Sequence, residues 1–438
     1  MNFFRNVAGL LLTSAVLVPV GFLSSIVLAR FLSVEDRGVY AAAVAFAQMV
    51  AILSELGWPG ASIYRIRTVG SRPARVAAVG TLAILIISAL VLLACGALEV
   101  FVIERFLAGA SPTVFHLAIA TIPFQLLIHV YGAIARGIDR FRLWNWSRIG
   151  LALGTLAAMT WVLVVRDGAL IEALWAFLAV HCVVTLLFVA AVLRHTGLAL
   201  GVDVSEILDG LRFGIQNHMQ SLAGRVHERI DIFMIAYFLG DPSQLAFYAI
   251  AVSVVQRLNL LPASVATAAY PQMAGLRAED AAHFACRTSR QSLVWVVLVA
   301  CALAAFAQVL LPLFYGEDYR ASVAPFLILL PGMVLLTIYT VLGQYFTAMD
   351  RQGVNIAIQA VSVVVNVLLN LWLIPRYGIL GAAAASAASY ALEATLITVA
   401  FAVSARRRPG EIFLLRLEDL DPYRRRARGL WRRLRSAR

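Results

Sequence analysis

Apolar residues in this chain gather into long runs, and a run of about 18 or more with few charges has the length to cross a bilayer as a helix. Twelve such runs are readable, at 7–29, 39–61, 77–103, 113–135, 146–165, 170–193, 214–239, 244–267, 289–314, 322–348, 353–374 and 378–404. Spans of about 22 residues leave only short connectors between them. None can hold a globular domain, which takes about 50 residues or more. The pattern predicts an all-α polytopic membrane protein that does its work inside the bilayer. The first run, after Arg5, is too long for the apolar core of a signal peptide and reads as a retained helix.

Composition narrows the chemistry. Of 438 residues, 61% are hydrophobic and 14% charged, against about a quarter charged in a soluble domain. All 36 basic residues are arginine. Without lysine there is no Walker A phosphate loop and no Schiff-base nucleophile. Cys95, Cys182, Cys286 and Cys301 show no close pairing that suggests zinc or a disulfide scaffold. Neither a metal nor a cofactor is expected, and nothing points to an enzyme.

Arginine placement sets the orientation, because arginine-rich short loops stay cytoplasmic. With the N-terminus inside, the inner connectors hold fifteen arginines, including Arg65, Arg67, Arg72, Arg75, Arg136, Arg140, Arg142 and Arg148. The outer ones hold six: Arg30, Arg37, Arg105, Arg166, Arg320 and Arg376. Both termini are therefore expected in the cytoplasm.

The two halves echo each other. Phe31-Leu32-Ser33 leads into Gly38-Val39-Tyr40-Ala41, as Phe238-Leu239-Gly240 leads into Phe247-Tyr248-Ala249. Ala135-Arg136-Gly137-Ile138-Asp139-Arg140 with Asn145 matches Thr347-Ala348-Met349-Asp350-Arg351 with Asn355. An offset of six spans, an even number, predicts halves of like orientation related by an axis along the membrane normal.

Charge at membrane depth is costly and usually functional. The seventh run carries Arg225, His227, Glu228, Arg229 and Asp231 within seven residues. If that run is one helix, Arg225 and Arg229 share a face, with Glu228 in reach of Arg225. Two guanidinium forks there fit an anionic head group. Alternatively, the arginines and carboxylates neutralise one another between packed helices. Arg257, Gln48, Glu55, Gln125 and His129 are further intramembrane polar groups. His129 and His181 read first as satisfied packing residues and second as members of a proton relay. Asn366 and Asn370, four apart, read as interhelical glue.

Several of these motifs carry a resemblance. The stretch from Ala29-Arg30-Phe31-Leu32-Ser33 through Asp36-Arg37-Gly38-Val39-Tyr40, then Glu55-Leu56-Gly57, resembles the opening of polysaccharide flippases. So do Arg229-Ile230-Asp231, Phe238-Leu239-Gly240 with Tyr248, and Arg376-Tyr377-Gly378-Ile379-Leu380-Gly381 in the second half. These proteins belong to the multidrug, oligosaccharidyl-lipid and polysaccharide exporter superfamily, and the resemblance covers about 1–404. It implies twelve helices in two six-helix lobes, 1–200 and 201–404, around a central cavity that opens alternately to each side. It further implies a non-enzymatic transporter of the bacterial inner membrane that flips a polyprenyl-pyrophosphate-linked oligosaccharide, alongside other polysaccharide assembly proteins. Under that arrangement Arg225, Arg229, Arg257 and Arg30 bind substrate, and Glu228, Asp231, His227 and Glu55 serve as charge partners or in ion coupling.

The alternatives are a drug or cation antiporter of the same superfamily, and a membrane glycosyltransferase or polymerase. Outer loops as short as these disfavour the enzymes. The excess of Arg225, Arg229 and Arg257 over Glu228 and Asp231 favours anionic over cationic cargo.

The tail 405–438 adds twelve arginines against Glu411, Glu418, Asp419 and Asp421, and supplies most of the net charge of +12. A polybasic segment beside the membrane is expected on anionic lipids rather than nucleic acid. Reporter fusions check the orientation: the connector between Arg136 and Arg148 and the tail should both read cytoplasmic, and a periplasmic signal at either would invert the assignment.

Overall fold

The structure is a computed structural model that describes residues 2–107, 109–197, 199, 214 and 229–413, with side chains in the first helix from Thr13 onward. Among these residues every regular element is helical. Ten stretches are long and apolar enough to cross a membrane: Thr13–Phe31, Val34–Ser54, Pro73–Ala97, Pro112–Gly137, Phe141–Val165, Leu170–Thr196, Pro242–Ala274, Ala278–Tyr315, Glu317–Ala348 and Gln352–Ala405. Their starts follow local chemistry. Ser33 caps Val34–Ser54 by accepting the Asp36 N–H at 3.0 Å. Pro73 and Pro112 stand in first turns, where a missing N–H costs nothing.

One of these stretches holds two of the expected spans. Gln352–Ala405 has 54 residues, about 80 Å at 1.5 Å per residue, against a hydrocarbon thickness of about 30 Å. Its backbone leaves the helical region at Gly378, with φ 58° and ψ −137°, which divides it into the expected eleventh and twelfth spans. The seventh expected span, 214–239, is described at 214 and from 229 onward, and there the helix Ile230–Leu239 lies.

Two runs read as continuous are broken. The second stops at Ser54 and resumes as the helix Trp58–Arg67, because Leu56 (φ 46°) and Gly57 (φ 75°) are left-handed and cannot carry the helical ladder onward. A methyl group on Gly57 would fall 1.8 Å from the Gly214 carbonyl oxygen, so backbone meets backbone there. The eighth passes through a tight 3₁₀ turn at Arg257–Asn259, between the helices Pro242–Gln256 and Leu260–Ala274.

Side-chain distribution is inverted relative to a soluble bundle. Alanines such as Ala43, Ala77, Ala133 and Ala135 fill buried faces, while Leu93, Leu187, Phe306, Val309 and Val403 point outward. Small residues let helices approach closely where lipid removes any hydrophobic advantage from burying large ones.

Helix contacts fall into two compact units. The first comprises Met1–Ser253, Gln308–Phe326 and Val363–Ala385, and the second Val254–Ala307, Leu327–Ser362 and the chain from Ser386 on. Within each, polar contacts join connectors of like parity. In the first unit Arg67 pairs with Asp139 and donates to the Arg136 carbonyl at 3.2 Å, joining the connectors after the second and fourth spans. Arg30, after the first span, donates to the carbonyls of Leu313 and Phe314 at the end of the ninth. In the second unit Arg351 donates to Ser404 at 2.7 Å, and Arg290 to the Glu411 carbonyl.

The predicted echo reappears as matching turns. Asp139 and Asp350 are both left-handed, with φ of 60° and 57°. Each turn closes with the next arginine's N–H on a carbonyl five residues back: Arg140 to Ala135 at 2.7 Å and Arg351 to Phe346 at 2.8 Å. Gly378→Ala is expected to cost about 1–3 kcal/mol through torsion alone, since its nearest neighbour, Leu239 Cδ1, would lie 3.9 Å from the new methyl. Thermal unfolding in detergent checks this, and an unchanged melting temperature would mean that the break does not need glycine.

Candidate intramembrane polar site

Among the described residues, three carboxylates stand buried in or at the ends of apolar helices, and each has drawn partners to itself. Asp231, in the first turn of Ile230–Leu239, is 8% exposed. Its Oδ2 accepts the Tyr248 hydroxyl at 2.9 Å and its Oδ1 accepts Asn370 Nδ2 at 2.8 Å. Asn370 also donates to Asn366 Oδ1 at 2.9 Å. Asn370 is thus interhelical glue, with a carboxylate at the joint, and Asn366 braces it from one turn away on the same helix. Hydrogen bonds to a charged acceptor contribute about 1.5–3 kcal/mol each, and the helix N-terminus adds favourable dipole.

Glu55 is 1% exposed and lies at the break in the second span. Its Oε1 meets His129 Nδ1 from the helix Ile122–Gly137. Of the two readings of His129, the structure puts it on a carboxylate. His181 donates from Nδ1 to the Phe177 carbonyl at 2.9 Å and lies tilted against the Phe177 ring, centroids 4.1 Å apart. Gln125 donates to Thr121 Oγ1 at 2.9 Å.

Glu393, 5% exposed in the last span, is the group that sequence reasoning misses. Ser362 is beside its carboxylate and Tyr339 is within electrostatic reach. Its signal was an acidic residue within the run 378–404.

The arginines are placed differently from one another. Arg225, His227 and Glu228 lie outside the described residues. Arg229 is the residue before the helix Ile230–Leu239, with φ −127°, and is half-buried with a partner of its own. The described helix begins just after it, and the expected continuation back toward 214 lies outside the described residues apart from Gly214. Arg257 sits in the 3₁₀ turn of the eighth span, half-buried and also partnered. Arg30 is exposed and caps the carbonyls of Leu313 and Phe314, where the ninth span ends. Arg229, Asp231, Glu55 and Arg30 belong to the first compact unit, and Arg257 and Glu393 to the second.

Charged and polar breaks in otherwise apolar spans are the arrangement by which transporter helices expose backbone and charge to an ion or an anionic head group. Here they recur at Glu55–Gly57 and at Arg257–Asn259.

Known proteins resemble this chain. The family described as polysaccharide biosynthesis protein matches residues 3–276, and the MatE family matches 220–372. The probable low-salt glycan biosynthesis flippase Agl15 of Haloferax volcanii is 23% identical over 86% of this chain and 78% of its own. A putative O-antigen transporter of Shigella flexneri is 22% identical over 65% of this chain and 68% of its own. Among solved structures, the lipid II flippase MurJ in an inward closed conformation superposes with a TM-score of 0.75 at 13% identity, over 92% of this chain and 88% of that one. This likeness shows the fold, a twelve-helix, two-lobe membrane architecture. With its family pattern matched over more than half of its length, the chain belongs to the polysaccharide biosynthesis protein family, within the exporter superfamily that its motifs resemble.

Proposed function

We propose that this protein flips a polyprenyl-pyrophosphate-linked oligosaccharide from the cytoplasmic to the outer leaflet of the inner membrane, by alternating access and without covalent chemistry. The family match over 3–276, together with relatives named for glycan flipping and O-antigen transport, is the observation that carries this reading. Both termini are cytoplasmic in this proposal, supported by the arginine asymmetry. The lobes divide near residue 200, and the arginines of the tail rest on anionic lipid, each contributing about 1 kcal/mol at most.

A pyrophosphate cannot enter hydrocarbon uncompensated, so a flippase must supply cationic forks while the polyprenyl chain stays in lipid. We assign that role to Arg225 and Arg229, helped by Arg257 and Arg30. Glu228 and Asp231 hold those arginines when no cargo is bound, so that the return step leaves no buried charge alone, and His227 beside them is a candidate for ion coupling. The partnered, half-buried state of Arg229 and the nearby Asp231 support the assignment. A cation antiporter is the second reading, favoured by the MatE match at 220–372 and by three buried carboxylates.

One experiment separates them. In cells, Arg229→Gln should cut surface polysaccharide about tenfold or more, the cost of one lost charged hydrogen bond. Lipid-linked intermediate should then collect on the inner leaflet. Arg229→Lys should recover only part of the export because it loses the bidentate fork. Full export by both variants at normal protein levels would make the cluster a structural ion network. Unchanged polysaccharide with raised accumulation of a cationic dye would establish the antiporter instead.

A further inference from the structure

The matching turns at Asp139 and Asp350 join two helix corners that are built from different chemistry. Counted from these turns, Gly132, Arg136 and Trp144 of the first half stand where Gly343, Thr347 and Asn355 stand in the second, so that Asn355 corresponds to Trp144 rather than to Asn145. The packing agrees. A methyl group on Gly343 would meet Asn355 at 3.5 Å, and one on Gly132 would strike the Trp144 ring at 2.3 Å.

The corner of the second half is neutral and its donors turn inward. Asn355 Nδ2 donates to the Gly343 carbonyl at 2.9 Å and to Thr347 Oγ1 at 3.3 Å, and Thr347 Oγ1 donates to the same carbonyl at 3.0 Å. In the first half a guanidinium replaces the threonine. Arg136 donates from Nε to the Gly132 carbonyl at 3.1 Å and lies over the Trp144 ring, 5.2 Å from its centroid. Trp144 in turn rests against Phe188 of the helix Leu170–Thr196, centroids 6.3 Å apart. Backbone and ring thus fix the arginine while its Nη groups have no hydrogen-bond partner among the described residues.

A second arginine stands beside it. Arg148 is one turn beyond Trp144 on the same helical face, within electrostatic reach of Arg136, and both are half-buried. The corresponding residue of the second half is the uncharged Gln359. Like charges held this close repel, and low dielectric strengthens the repulsion. Among the described residues neither arginine has an ion pair, and the acid of the adjoining turn, Asp139, is engaged by Arg67. The neutral corner of the second half shows that the turn itself does not need these charges. An anion placed between two guanidinium groups turns their repulsion into binding.

We propose that Arg136, Arg148 and Trp144 form a binding site for the phosphodiester headgroup of an acidic phospholipid, in the leaflet that this end of the spans faces. Arg136 lies in the last turn of Ile122–Gly137 and Arg148 near the start of Phe141–Thr160, at the level where basic pockets between spans meet headgroups. Trp146 is 63% exposed beside them and Leu153 is exposed two turns further along the same helix, a tryptophan at the interface above an apolar stripe for acyl chains. In the proposed orientation this leaflet is the cytoplasmic one. The site is separate from the lipid contacts assigned to the tail, and binding there depends neither on orientation nor on transport.

The test is native mass spectrometry of the full chain in detergent with phosphatidylglycerol and phosphatidylcholine supplied in equal amounts. The wild-type protein should retain phosphatidylglycerol preferentially. Giving the corner the residues of the second half, Arg136→Thr or Arg148→Gln, should lower that preference about fivefold in each variant. Arg142→Gln, at an exposed arginine on the same helix, should lower it less than about twofold. A preference that survives Arg136→Thr and Arg148→Gln, or that falls as far in Arg142→Gln, overturns the site. Polyprenyl pyrophosphate is the second probe: variants that lose it yet keep phosphatidylglycerol would assign the arginines to cargo and overturn the lipid assignment. Should the uncharged variants fail to insert, amide exchange of the wild-type protein decides. In phosphatidylglycerol vesicles the connector 137–143 should exchange about threefold more slowly than in phosphatidylcholine vesicles, with no change at the matching connector 348–354. Equal changes at the two connectors, or none at either, overturn the site. Because no transport is measured, each outcome leaves the flippase reading to its own experiment.

Discussion

Hydrocarbon does not tolerate an uncompensated charge, and the organisation of this protein follows from that constraint. Glu55 takes His129; Asp231 takes Tyr248 and Asn370, and through Asn370 reaches Asn366. Glu393 lies against Ser362. Each carboxylate gathers side chains from other helices, so it fixes helix positions as well as meeting its own electrostatic need. The helices in turn break where the polar groups are. The left-handed pair Leu56–Gly57 follows Glu55, and a 3₁₀ turn starts at Arg257. A break exposes backbone donors and acceptors that an unbroken helix would consume, and in lipid such exposure persists only where protein or a polar cargo satisfies it.

The spans were legible in the amino-acid order because bilayer thickness imposes a length that no soluble constraint imitates. Arginine counting had a structural counterpart too: Arg67 with Asp139, and Arg30 with the end of the ninth span, join connectors of equal parity. The duplicated Asp139 and Asp350 turns were visible as a weak echo whose meaning is conformational, since both aspartates must adopt a positive φ. What escaped was local backbone. A hydropathy window averages over Glu55-Leu56-Gly57-Trp58-Pro59, although glycine followed by Trp-Pro is a stop and a start in sequence. Partnership across helices is not written in any single segment, which is why His129 read first as packing and why Glu393, set among alanines and serines, drew no notice.

Family membership and intramembrane charge thus motivate the central proposal, that a guanidinium-lined path carries a pyrophosphate through a medium that would otherwise refuse it. The most direct measurement is flipping by the purified full-length protein in vesicles containing a fluorescent polyprenyl-pyrophosphoryl oligosaccharide, read by a membrane-impermeant reductant that bleaches the outer leaflet. The account predicts that label from the inner leaflet becomes accessible at a rate proportional to protein, and that an analogue bearing the same sugars on polyprenol without pyrophosphate does not move. Absence of protein-dependent flipping, or equal rates for the two lipids, would contradict it.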